Sequence, residues 1–109
     1  MRLNINANIT KLNKEYPSEM LMVKFHCERV VNHLHDLMDA VKRDGGYRHD
    51  LHFGFVKDIR FSSDVICFKA HQMGLIILDE DGICNHVKRM TIAAELNEIF
   101  YEEDLRSVG

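Results

Sequence analysis

At 109 residues the chain has room for one domain, and 46% hydrophobic with 28% charged residues is ordinary for a globular protein. We therefore expect a single domain, residues 1–109. The net charge of −3 is too small to indicate nucleic-acid or membrane binding. No apolar run approaches the ~20 residues that cross a bilayer, and three cysteines without Cys-x-x-Cys spacing favour reduced thiols. We expect a cytoplasmic protein that makes no contact with a membrane.

The first element is predicted from a two-residue period. Leu3, Ile5, Ala7 and Ile9 alternate with polar residues, which predicts a half-exposed edge strand. Residues 11–16 are read as a polar connector.

The longest predicted element is a helix over residues 18–43. Its apolar residues recur at alternating spacings of three and four, namely Met20, Val23, Cys27, Val30, Leu34, Leu37 and Val41. Pro17 and Ser18, the latter as a capping hydroxyl, are typical of a helix start, and Gly45-Gly46 of its end. The width of the stripe predicts that this helix lies on a sheet of its own domain.

Beyond the glycine pair the pattern changes to alternation. One parity is shared by Leu51, Phe53, Phe55, Ile59 and Phe61, which predicts a strand ended by a turn at residues 62–64. Further strands are predicted at residues 65–70, 75–78 and 83–87, with a hairpin turn at residues 79–82. Thr91 is expected to cap a last helix whose stripe is Ile92, Leu96, Ile99 and Phe100.

The predicted fold class is therefore α+β. One long amphipathic helix would pack on a four- to five-stranded, mainly antiparallel sheet, followed by a C-terminal helix, in the order β-α-β-β-β-β-α.

A search for catalytic motifs predicts no catalytic residue, no cofactor and no metal site. The phosphate-binding loop, the nucleophile elbow and the His-Glu-x-x-His zinc motif are all absent from the sequence. The side chains of His33 and His35 point about 200° apart around a helix, so they cannot coordinate the same metal ion. Cys84 and His86 would share a strand face, but no orienting group is evident. A metal-dependent enzyme using histidines is the third hypothesis.

The leading hypothesis comes from apolar residues outside the main stripe of the long helix. Either the N-terminal segment covers Leu21, Met22 and Phe25, or they form an exposed patch that meets another subunit. We expect a small non-catalytic protein-binding module, a regulator, adaptor or inhibitor, that forms a homo-oligomer such as a homodimer. The predicted partner-binding residues are Leu21, Met22, Phe25, Arg29, Glu98 and Glu102.

The alternative hypothesis is nucleic-acid binding. The end of the long helix, the Gly-Gly loop and the polar face of the next strand could place several cations on one surface. The residues for this alternative are Lys42, Arg43, Arg48, Lys57 and Arg60, and a scatter of solvated charges is its competing interpretation.

Overall fold

The computed structural model describes the backbone of residues 9–108 and the side chains of residues 9–102. Within that range the chain is built of five α-helices and contains no strand, so the predicted α+β fold is wrong. The helices are α1 Ile9–Glu15, α2 Pro17–Arg43, α3 His49–Gln72, α4 Glu80–Cys84 and α5 His86–Val108. Among them, none is long and apolar enough to cross a bilayer. The predicted first strand lies outside the described residues, except for Ile9, which begins α1.

The prediction of the long helix is confirmed as α2. Pro17 occupies its first turn, where a missing N–H costs nothing because the helix offers no partner there. The capping role predicted for Ser18 is wrong, because Tyr16 occupies the cap position without a side-chain hydrogen bond. At the other end Gly45 and Gly46 take φ angles of 77° and 145°, which end the helix as expected.

The apolar stripe of α2 is buried only along its first half. Met20, Val23, Cys27 and Val30 belong to the core, whereas Leu34 keeps 40% of its surface exposed. A straight helix rotates by ~20° per seven residues relative to a strict heptad pattern. The stripe is therefore less completely covered beyond Val30, although Leu37 still packs partly against the core. The neighbours of α2 are α3 and α5 rather than the predicted sheet.

The first two predicted strands after the Gly-Gly loop are one helix, α3. Ile59, Ile66 and Ala70 recur at helical spacing and are buried. The predicted turn at residues 62–64 is wrong as well, because Ser62 and Ser63 are buried in the middle of α3. Aromatic and β-branched residues favour strands intrinsically, but packing between helices overrides that preference here.

The third predicted strand, residues 75–78, is an irregular connection. Gly74, with φ 76°, ends α3, and the N–H of Leu75 donates to the carbonyl of Ala70 at 2.9 Å. The connection fills the helical core with the side chains of Leu75, Ile76 and Leu78.

The predicted hairpin turn and fourth strand, residues 79–87, instead contain the short helix α4 and the start of α5. Asp79 Oδ1 accepts a hydrogen bond from the N–H of Gly82 at 2.7 Å, which caps α4. Asn85 Oδ1 accepts from the N–H of Val87 at 3.0 Å at the start of α5. Thr91, the predicted cap, lies inside α5. Within the predicted stripe of this helix, Ile92, Leu96 and Phe100 are buried as expected.

The helices α2 and α3 form an antiparallel hairpin that organises the fold. Side chains pair across it in reverse order, His26 with Ser62 and His33 with Asp58. Helix α5 packs against both members of the hairpin, α1 packs on α2, and α4 packs on α5. The hairpin retains several exposed aromatic side chains outside the core.

Candidate protein-binding surface

Helix α3 is apolar on two opposite faces. One face carries the core residues, and the other carries Phe61, Val65 and Phe68 at spacings of four and three. Phe61 is 63% exposed and Phe68 is 40% exposed. These three side chains line one shallow depression. Within the chain, the ring of Phe68 is contacted by α5, because the Arg89 guanidinium lies 5.4 Å from its centroid. Phe61 remains the most exposed of the three.

Helix α2 extends this apolar surface. Met22 and Phe25 are exposed on it. The imidazole of His26 connects the two helices, with its ring centroid 5.4 Å from that of Phe25 and 6.1 Å from that of Phe61, both edge-on. We define the outer patch as Met22, Phe25, His26, Phe61, Val65 and Phe68.

The centre of the outer patch is uncharged at neutral pH. His26 Nδ1 lies 3.2 Å from the hydroxyl of Ser62. Burial, and then the nearby Arg29 guanidinium, hold the pKa of His26 below its usual value. The same guanidinium lies 5.7 Å from the ring centroid of Phe25. Neutral imidazole and aromatic rings therefore form the middle, and an arginine stands at the edge.

The size of the outer patch distinguishes it from scattered surface residues. Phe25, Phe61 and Phe68 are 54%, 63% and 40% exposed. At ~200 Å² per phenylalanine side chain, they leave about 300 Å² of ring surface in solvent. Single exposed apolar residues are ordinary, whereas contiguous patches of ~300–600 Å² are often functional.

The structure brings together four of the six predicted partner-binding residues. Leu21, Met22 and Phe25 are exposed on α2, and Arg29 lies beside Phe25. Glu98 and Glu102 belong to a different helix, α5. Sequence reasoning missed the α3 members of the outer patch, whose spacing of four and three was concealed by the strand interpretation.

The five basic residues of the alternative hypothesis are spread around the α2–α3 turn and along α3. Arg43 Nε lies 3.7 Å from Asp44 Oδ1, and Arg48 Nη2 lies 3.2 Å from Asp50 Oδ2. Residues 36–60 contain five Lys/Arg and five Asp, so this end of the hairpin has no net charge with neutral histidines. The nucleic-acid hypothesis stays a prediction.

The described histidines include two that complete backbone hydrogen bonds. His52 is 1% exposed. Its Nδ1 accepts from the N–H of Arg48 at 2.8 Å, so Nε2 carries the proton and donates to Asp44 Oδ2 at 2.8 Å. That hydrogen bond is the main cause of the lowered pKa of Asp44. His71 Nδ1 accepts from the N–H of Leu78 at 3.1 Å. Over residues 9–102, no three His, Cys, Asp or Glu side chains are grouped to hold a metal ion.

Possible nucleophiles are poorly placed for reaction. Burial raises the pKa of both Cys27 and Cys67 to about 12, which keeps these thiols protonated. Cys84 is exposed, but it ends α4 rather than sharing a strand with His86. The Ser62–His26 contact pairs a hydroxyl with a base, yet Ser62 is 0% exposed and no substrate reaches it.

Comparison of the sequence with protein-family models and curated proteins, and of the fold with solved structures, gives no match.

Proposed function

We propose that the protein is a non-catalytic interaction module that binds another protein through the outer patch. The main observation behind this proposal is that the exposed rings of Phe25 and Phe61 both contact the imidazole of His26, so the apolar surface continues from α2 to α3. Aromatic residues and arginine are enriched where protein–protein binding energy is concentrated. Arg29 beside Phe25 matches that composition. A regulator, adaptor or inhibitor would use such a surface.

The charges around the outer patch favour a protein partner over an anionic polymer or lipid surface. Arg29, Lys69 and Arg89 provide positive charge, and Asp58 and Asp64 provide negative charge. Arg89 is ion-paired with Asp64, with Nε 2.6 Å from Oδ1, so the surface carries both signs. Nucleic acids and anionic membranes select an excess of cations. A cytoplasmic location is part of the same proposal, and the free thiols of the three cysteines support it.

A capture experiment tests the proposal. The purified chain is immobilised and exposed to host lysate that contains an added, differently tagged second copy of the chain. Phe61→Glu places a charge in the outer patch. Tyr101→Glu is the matched control, because Tyr101 is an aromatic residue of similar exposure, 65%, on α5.

The expected result is reproducible capture by the wild-type chain and by Tyr101→Glu, with loss of capture by Phe61→Glu. Equal retention by all three chains, or retention of nothing by the wild type, would contradict the proposal. The two tags separate self-capture from capture of a different protein.

A further inference from the structure

Gly54 lies in the second turn of α3, where nothing within the chain requires a glycine. Its φ is not positive, and a Cβ built on it meets no atom within 4 Å. Glycine inside a helix is unfavourable relative to alanine. Gly54, Phe61 and Phe68 are seven residues apart, so they form one line along the outer face of α3. We call these three positions the apolar line. It has open space at one end, Gly54, and a phenylalanine at the other, Phe68.

We propose that a second copy of this chain is the occupant of the outer patch, with its α3 antiparallel to the first and the two-fold axis at Phe61. The inference rests on the proposed function and names the partner. In an antiparallel pair centred on residue 61, facing residue numbers add to about 122. Phe68 of each copy then enters the space above Gly54 of the other, and the two Phe61 rings meet at the axis. The contact is self-complementary, as a two-fold interface requires.

Charge supports the antiparallel direction. Lys57 and Asp64 lie along the same edge of the apolar line, and their numbers add to 121. Each Lys57 therefore lies within about one residue rise, ~1.5 Å along the axis, of Asp64 in the other copy. The Asp64 side chain is 39% exposed while it accepts a hydrogen bond from Arg89 at 2.6 Å. A parallel pair would put the two Gly54 positions at the same level and leave a void between them.

The exposed aromatic area is a substantial part of what a stable pair needs. The exposed rings of the three phenylalanines alone supply more than a third of the ~800 Å² per partner that specific interfaces bury. The balanced charges at the edges remove the repulsion that two identical, strongly charged surfaces would meet.

The sharpest variant is Gly54→Leu, because Gly54 is exposed in the free chain and a Cβ there meets no atom within 4 Å. We expect sedimentation equilibrium to show a wild-type dimer and to show a dissociation constant at least ~100-fold higher for Gly54→Leu, since two contacts per dimer become overpacked. The thermal midpoint of the variant monomer should not fall. Ala94→Leu places the same leucine side chain at an exposed position of α5 and should stay dimeric.

Two further variants test the register of the pair. Adding Phe68→Ala to Gly54→Leu removes the ring that would collide with the new leucine of the other copy. The double variant should therefore recover much of the dimer. Phe61→Cys, in a Cys84→Ser background, should form a disulfide with its own copy under mild oxidation, because only residues at the axis bring identical side chains together.

A strictly monomeric wild type, or a Gly54→Leu dimer as strong as the wild-type dimer, would overturn the inference. A monomer that still captures a lysate protein through Phe61 would overturn the second copy as partner and leave the proposed function standing. If the wild-type chain captured neither a second copy of itself nor a lysate protein, both this inference and the proposed function would be overturned.

Discussion

The two faces of α3 should respond oppositely to truncation, and Phe61→Ala and Ile66→Ala test this directly. Ile66 is 0% exposed in the core, whereas Phe61 is 63% exposed in the outer patch. Both residues lie in the same helix, five positions apart. The first substitution should therefore weaken association, and the second should weaken folding.

The magnitudes follow from exposed area. The solvent-facing part of Phe61 is about 130 Å², so its burial by a partner contributes roughly 3 kcal/mol, or ~100-fold in affinity. Its buried third stabilises the monomer by at most ~2 kcal/mol, and the better helix propensity of alanine offsets about 0.5 kcal/mol of that loss. Ile66→Ala should lower the free energy of unfolding by about 2–5 kcal/mol.

Two assays separate the effects. Urea unfolding followed by circular dichroism, at concentrations below the association range, gives monomer stability. Sedimentation and the capture assay give association. If Phe61→Ala lowered the free energy of unfolding as much as Ile66→Ala and left association unchanged, Phe61 would be a core residue and the outer patch would lose its functional interpretation.

Three other predictions test the remaining parts of the structure. Replacing His52 by Leu removes the hydrogen bond that lowers the Asp44 pKa, so carbon-13 NMR should show that carboxyl titrating nearer its ordinary value of about 3.9. In the wild type the Asp44 contribution to stability is present above about pH 3.9 and is lost as pH falls through the lowered folded-state pKa, and an Asp44 titration unaffected by His52→Leu would contradict this. A thiol reagent should modify exposed Cys84 rapidly, while Cys27 and Cys67, with pKa values of about 12, should react only in denaturant; three fast thiols would contradict the described core. A gel-shift series with duplex DNA and single-stranded RNA should show no retardation at low salt, because residues 36–60 have balanced charge; a complex that weakens steeply with salt would restore the nucleic-acid alternative.

Sequence reasoning located the helices whose ends are chemically marked. Pro17 and the Gly45-Gly46 pair bound α2, and both signals act through the local backbone. The buried stripe of α5 was also identified, although its start was placed too late because Asn85 was read as part of a strand. Local signals of this kind do not depend on what packs nearby.

The segment from α3 to α4 was misread because its signals depend on tertiary context. Buried Ser62 and Ser63 look like turn residues until neighbouring helices enclose them. Asp79 looks like part of a hairpin turn, but the same carboxylate caps a short helix. A small polar side chain satisfies either role equally well, so sequence alone does not separate them.

The error over α3 and the proposal for its outer face have the same physical origin. The shared parity of Leu51, Phe55, Ile59 and Phe61 arises because two apolar stripes on opposite sides of one helix overlap in the sequence. Folding requires only the stripe that contains Ile59. The stripe that contains Phe61 and Phe68 leaves 63% and 40% of those residues exposed in a single chain, in line with the open space at Gly54. A surface that folding does not require and water does not favour is most directly explained by a second molecule that covers it.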